Sequence, residues 1–113
     1  MRPVMTEKDK QIISAFKSRI PSDVRACVKK IIVFGSRVRG DASEDSDLDL
    51  LVLVDEMSTR LEEELEETAY SVMWEHDFKP IISLKVFTEA RFNKALESGY
   101  SFYKNVAREG IAA

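Results

Sequence analysis

Two short apolar runs, at residues 31–34 and 50–54, constrain the fold of this chain more than any other feature. Each run is too short for a buried helix and consists of aliphatic, β-branched or aromatic side chains, so each predicts a buried strand. Two acidic residues enter the second strand, which is predicted to span residues 47–54. Because side chains two apart on a strand share a face, Asp47 and Asp49 are predicted to project together. Their carboxylates repel each other unless a cation lies between them.

The rest of the pattern predicts helices packed on a small sheet, within one domain that covers residues 1–113. Apolar side chains recur at helical spacing on either side of the strands, and capping residues mark where helices begin. The predicted elements are, in order, a helix capped by Thr6 and stopped by Pro21, a short helical turn from Ser22, a strand at 31–34, a short helix at 36–40, a strand at 47–54, a helix from Ser58, a strand at 80–87, a helix from Thr88 and a helix at 102–109. Residues 41–46 are predicted to be a polar loop. This order is typical of an α/β (α+β) fold.

Composition excludes several classes of protein. The chain has 113 residues, a net charge of −3 and one cysteine, Cys27. The length fits a single domain, and a lone cysteine excludes an intrachain disulfide and fits a reducing compartment. The acidic balance argues against a strongly basic nucleic-acid-binding surface, although a local basic patch is left open. The sequence has neither a secretory leader nor an apolar run of bilayer length, so we expect a cytoplasmic protein without a membrane partner.

The end of the first strand suits a phosphate group. Gly35 and Ser36 lie where the strand passes into a helix, and the first N–H groups of a helix are unpaired and carry the positive end of its dipole. A glycine lets a phosphate approach the backbone, and a serine hydroxyl adds a hydrogen bond. Arg37 and Arg39 follow directly and are predicted to supply mobile positive charge that grips phosphate oxygens. These four residues form the predicted nucleotide-binding group.

The start of the second strand suits a metal ion. Mg²⁺ is a hard cation that takes oxygen ligands and commonly shares its shell with substrate phosphates. Asp47 and Asp49 are therefore the predicted metal ligands, with a two-ion site left open, and the preceding Ser46 is placed to orient a carboxylate. Two neighbouring strand ends, one for phosphates and one for metal, predict a site for a nucleoside triphosphate.

The spacing Gly-Ser, ten residues, Asp-x-Asp resembles that of the nucleotidyltransferase superfamily with the DNA polymerase β-type catalytic core. Residues 35–50 and the tail at 101–110 are similar to those of the small stand-alone prokaryotic members, the minimal nucleotidyltransferases. The resemblance covers residues 31–111 and implies a small mixed sheet with helices packed on it. It implies that Gly35 and Ser36 contact the triphosphate, and that Asp47 and Asp49 are catalytic carboxylates that bind Mg²⁺. The implied reaction moves a nucleoside monophosphate to an acceptor hydroxyl and releases pyrophosphate.

The third predicted strand departs from that family pattern. Many active members carry a third carboxylate there, which helps to activate the acceptor hydroxyl, but residues 80–87 contain no Asp or Glu. Ser83 or Lys85 occupies the corresponding place, and Asp77 precedes the strand. Three explanations stay open: another group acts as the base, a partner supplies it, or turnover is slow or absent.

The leading hypothesis is a Mg²⁺-dependent enzyme that transfers AMP from ATP, or a nucleoside monophosphate from another triphosphate, to a hydroxyl on a partner protein. The family resemblance implies a helical HEPN-type partner, with this chain as the antitoxin of a toxin–antitoxin pair; a homo-oligomer is the alternative partner. A second hypothesis is a nucleotide-binding antitoxin that has lost catalysis and neutralises its partner by complex formation. A third is transfer to a small molecule such as an aminoglycoside.

Aromatic residues near the C-terminus permit two interpretations. Tyr100, Phe102 and Tyr103 either pack the last helix onto the sheet or form an exposed patch for a partner.

Overall fold

The computed structural model describes residues 5–40 and 46–113. Its elements follow the predicted order, with short helices at both predicted places. In chain order they are α1 (Glu7–Arg19), α2 (Ser22–Arg25), β1 (Val28–Phe34), α3 (Ser36–Arg39), β2 (Leu48–Val54), α4 (Thr59–Glu75), β3 (Ile82–Thr88), α5 (Glu89–Glu97), α6 (Ser101–Glu109) and β4 (Ile111–Ala112). The strand boundaries need correction: β1 begins at Val28 and not at residue 31, β2 begins at Leu48 and not at Asp47, and β3 spans Ile82–Thr88 and not residues 80–87. The strand β4 was not predicted. The predicted loop at 41–46 lies outside the described residues except for Ser46.

The four strands form one mixed sheet in the order β3-β2-β1-β4. β1 runs antiparallel to both β2 and β4, whereas β2 and β3 are parallel. Parallel strands need a crossover connection, and α4 supplies it between β2 and β3. This arrangement confirms the predicted small mixed sheet with helices on it. The C-terminal end of β1 and the N-terminal ends of β2 and β3 meet at one edge, since Phe34 pairs with Asp49 and Asp49 with Ser83.

Side-chain caps fix where three of the helices begin. Thr6 accepts a hydrogen bond from the backbone of Asp9, whose carboxylate accepts one from the Thr6 backbone in return. Ser58 caps α4 through Leu61 N, and Thr88 caps α5 in the same way. These caps satisfy N–H groups that the helix geometry leaves unpaired, and they confirm the three predicted helix starts.

The alternation of β2 separates two hydrophobic cores. Leu48, Leu50, Val52 and Val54 are buried against α1 and α4, together with Phe16 and Leu65. Leu51 and Leu53 face the other side, against Phe92 of α5 and Val106 of α6. Asp49 shares this second face by its position in the strand. The second core stops short of the sheet edge, where Asp49 takes the place that an apolar residue would occupy.

Of the three C-terminal aromatic residues, two pack onto the sheet and one is exposed. Phe102 and Tyr103 pack against the second core, with Phe102 edge-to-face on Phe34 at 5.6 Å between ring centroids. Tyr100 is 63% exposed. The packing interpretation is therefore confirmed for Phe102 and Tyr103. Within the described residues, no helix is long and apolar enough to cross a membrane.

Candidate active site

The site begins at the corner where β1 passes into α3. Gly35 adopts φ +83° and acts as the N-cap of α3, and its carbonyl accepts hydrogen bonds from the backbone of Val38 and Arg39 at 3.1 and 3.2 Å. A Cβ atom at Gly35 would overlap the Oδ2 atom of Asp49. Glycine is thus required at position 35 for two reasons: the backbone has a positive φ, and the Asp49 carboxylate lies too close for a Cβ atom. The fold brings the predicted phosphate corner and one predicted metal ligand into direct proximity.

The two aspartates differ in position. Asp49 is half-buried within β2, between Phe34 of β1 and Ser83 of β3, whereas Asp47 is exposed one residue before the strand. Burial raises the pKa of Asp49, and the neighbouring negative charge of Asp47 raises it further. Lys85, Ser83 and Arg39 oppose that rise. The charges of the two carboxylates therefore oppose each other, and their role as metal ligands stays a prediction.

The donor set fits a divalent cation that is shared with a nucleotide. Asp47 and Asp49 offer carboxylate oxygens, the ligands that Mg²⁺ prefers, and the bare Gly35 backbone leaves room beside them. No three His, Cys, Asp or Glu side chains in the described part of the chain are grouped to hold a metal alone. An ion bound here would thus complete its shell with phosphate oxygens and water.

A cavity of about 350 Å³ lies between Gly35 and Asp49 and the last helix, and Asp47 is not among its lining residues. Its lining on the sheet side includes Gly35, Ser36, Arg39 and Asp49. Its opposite wall comes from α6, and consists of Phe102, Asn105, Val106 and Glu109. Sequence reasoning missed Asn105 and Glu109; the signal that could have found them was the similarity of the tail at 101–110. A larger groove of about 620 Å³ beside α1 contains none of the predicted site residues.

Arg37 has a different role from the one predicted. Its Nη1 donates to Asp9 Oδ1 at 3.1 Å, and its Nη2 donates to the carbonyl of Ser46 at 2.6 Å. The side chains of Arg37 and Asp9 are only 10% and 2% exposed. The expectation of a mobile cation at Arg37 is therefore wrong, because its guanidinium ties α1 to the segment that leads into Asp47. The side chain of Arg39 is exposed and lines the cavity, as a phosphate ligand requires.

The third strand, β3, carries Ser83 and Lys85 at the positions where the sequence predicts them. Ser83 pairs directly with Asp49, and Lys85 lies one step further on the same face. Asp77 is exposed in the turn after α4 and does not line the cavity. The strand thus places a hydroxyl and an ammonium group beside Asp49, and no carboxylate.

The mixed sheet, the Gly-Ser turn from its first strand into a short helix, and Asp49 beside that turn match the pattern of a nucleotidyltransferase. The chain belongs to the nucleotidyltransferase domain family, whose model matches residues 9–107.

Similar proteins agree with that assignment. A Methanocaldococcus jannaschii protein, provisionally named a protein adenylyltransferase, is 33% identical over 109 residues, which cover 90% of this chain and 94% of that protein. The protein adenylyltransferase MntA of Thermococcus cleftensis is 43% identical over 68 residues, 59% of this chain and 67% of that protein. The fold is similar to that of a chain in a crystal structure of a toxin–antitoxin with AMP-PNP, with a TM-score of 0.56 and 21% identity over 92% of this chain and 70% of that chain.

Proposed function

We propose that this protein transfers AMP from ATP, bound with Mg²⁺, to a hydroxyl group of a partner protein. The observation that supports the proposal is the juxtaposition of Gly35 and Asp49 in one cavity, since we assign the first to the phosphates and the second to the metal ion. Membership of the nucleotidyltransferase family gives the reaction class. The adenylyltransferase names of the relatives support AMP as the group transferred and a protein as the acceptor.

In the proposed complex, residues at the end of β1 bind the triphosphate and residues at the start of β2 bind the metal ion. In our proposal the backbone of Gly35, the hydroxyl of Ser36 and the guanidinium of Arg39 hold the triphosphate. Asp47 and Asp49 hold the metal ion, which when bound neutralises charge on the phosphate oxygens. The acceptor oxygen then bonds to the α-phosphorus, the bond between that phosphorus and the bridging oxygen breaks, and pyrophosphate leaves.

We propose a helical HEPN-type protein as the acceptor, with the two proteins forming a toxin–antitoxin pair. The similarity to minimal nucleotidyltransferases supports this choice, and the relative named a protein adenylyltransferase supports a protein as the acceptor. The net charge of −3 supports a protein acceptor over a nucleic acid.

The test uses α-labelled ATP, Mg²⁺ and the purified candidate partner. We expect label on the partner, and we expect Asp47→Asn and Asp49→Asn each to abolish labelling. Asp55→Asn is the matched control, because Asp55 is exposed beyond the opposite end of β2. Labelling that survives Asp49→Asn would contradict the metal role. Calorimetric binding of Mg²⁺ and ATP without pyrophosphate release would instead favour a nucleotide-binding antitoxin, and label on an aminoglycoside but not on the protein would favour a small-molecule transferase.

A further inference from the structure

An acidic residue that no strand supplies lines the cavity from the last helix. Glu109 is the final residue of α6, is half-buried, and lines the cavity together with Gly35, Ser36 and Asp49. Asp49 and Glu109 are the acidic side chains in this lining. The first lies on β2 and the second on α6.

The backbone around Glu109 is held firmly to the strand that forms the phosphate corner. Gly110 N donates to the Val106 carbonyl at 2.8 Å, and a Cβ at Gly110 would overlap both that oxygen and Ile32 Cγ2. Immediately afterwards Ile111 pairs with Val33 in the sheet. The two-residue strand β4 therefore fixes the end of α6 against β1, a few residues from Gly35.

The proposed reaction needs a proton acceptor that the sheet does not provide. When the acceptor oxygen bonds to phosphorus, its proton must move to a base. Asp49 and Asp47 are assigned to the cation, and a metal-bound carboxylate is a weak base. The groups that β3 adds on the same face are the hydroxyl of Ser83 and the ammonium of Lys85. A protonated ammonium cannot accept a proton, and a hydroxyl is a poor base near neutral pH.

We propose that Glu109 is the general base of the transfer reaction. Its carboxylate oxygen takes the proton of the acceptor hydroxyl while the new oxygen–phosphorus bond forms and the bond to pyrophosphate breaks. This inference rests on the proposed function and assigns the missing carboxylate to α6 instead of β3. The metal ligands in our proposal are Asp47 and Asp49, so Glu109 is assigned to proton transfer and not to the metal.

The test separates proton transfer from binding. Glu109→Gln keeps the size of the side chain and removes the base, whereas Glu97→Gln makes the same change at an exposed site at the end of α5. The kcat and KM of AMP transfer to the partner are measured for both variants and wild type, with the Kd of Mg²⁺ and a non-hydrolysable ATP analogue from calorimetry. A general base typically contributes about 10²–10⁴-fold, so Glu109→Gln should lower kcat by about 100-fold or more. KM and Kd should change less than about twofold, and Glu97→Gln should match wild type.

A shorter carboxylate provides the second variant. Glu109→Asp should retain more activity than Glu109→Gln, because it keeps a base in the cavity. A kcat of Glu109→Gln within about threefold of wild type would overturn the inference, as would a parallel loss of kcat and analogue affinity. Absence of transfer by wild type itself would overturn the proposed function, and the base with it. If the wild-type protein transfers AMP and Glu109→Gln transfers it at the same rate, only the general-base role of Glu109 is overturned.

Discussion

The buried ion pair between Arg37 and Asp9 gives the sharpest test of how this site is built. Arg37→Met removes the guanidinium but keeps an unbranched apolar side chain in its place. The variant leaves the Asp9 carboxylate 2% exposed, with the Thr6 N–H as its remaining hydrogen-bond donor among the described contacts. Ser46 also loses the donor that holds its carbonyl. If Arg37 is a structural residue, the variant must therefore have a lower free energy of unfolding, while its folded form binds the nucleotide with nearly the wild-type Kd.

The magnitude follows from burial. Breaking a buried ion pair by removing one partner costs about 3–5 kcal/mol, because the other charge stays desolvated and unpaired. That is a large part of the roughly 5–15 kcal/mol that stabilises a typical domain. At about 4 °C per kcal/mol for a chain of this length, the melting temperature should fall by about 12–20 °C. With an m-value of about 2 kcal/mol/M, the urea midpoint should fall by about 1.5–2.5 M.

The assay is urea unfolding followed by circular dichroism, with the Kd of Mg²⁺ and an ATP analogue measured at a temperature where the variant is folded. Asp9→Asn combined with Arg37→Met should regain at least half of the lost stability, since it removes the buried charge and retains an oxygen that can cap Thr6. Arg60→Ala breaks the exposed ion pair with Asp23 and should leave the midpoint nearly unchanged. A variant Arg37→Met with wild-type stability and weakened nucleotide binding would refute the structural role and restore the phosphate role that the sequence predicts.

Three further predictions concern the site and the core. Asp49→Asn should stabilise the protein slightly at pH 7 in the absence of Mg²⁺, because solvent screens part of the unfavourable charge of this half-exposed carboxylate. Folding raises the pKa of Asp49 above 3.8, so its ionised form opposes folding at higher pH. The gain in stability from Asp49→Asn should therefore vanish below about pH 3.8. A gain that persists below that pH would show that the raised pKa is not its cause. Gly35→Ala should weaken binding of Mg²⁺ and an ATP analogue by more than about tenfold, because the new Cβ overlaps Asp49. Gly99→Ala is its matched control in calorimetry, with the same positive φ but nothing within 4 Å, and equal losses of affinity would refute the argument. Phe16→Ala should cost about 3–5 kcal/mol in urea unfolding, since Phe16 is fully buried; Tyr100→Ala, at an exposed site, should cost far less.

Local patterns in the sequence predicted the helices and strands well. Caps at Thr6, Ser58 and Thr88 mark helix starts through contacts within three residues along the chain, so they can be read directly. The short strand β4 was missed because two residues carry no periodic pattern, and their strand character comes from pairing with β1. The boundary of β2 was one residue too early for a similar reason, since ladder pairing and not residue type decides where a strand starts.

The site was predicted in part. The sequence places Gly35, Ser36, Asp47 and Asp49 at neighbouring strand ends, and the register of β1 with β2 and β3 brings Asp49 beside Phe34 and Ser83. Their roles in binding phosphate and metal stay predictions, which the labelling and calorimetry experiments test. The expectation for Arg37 was wrong because its partner Asp9 lies 28 residues earlier, on a helix whose packing the motif does not contain.

The sequence by itself thus determined the order of the elements other than β4, and it placed Gly35 and Asp49 at neighbouring strand ends, because these features follow from the backbone period and from neighbours a few residues apart. Tertiary structure alone decided which arginine is buried and which lines the cavity, and it alone brought Glu109 into the same cavity as Asp49, 60 positions earlier in the chain. Such contacts depend on how α1 and α6 pack against the sheet. Packing is a property of the whole core, and a motif of fifteen residues does not specify it.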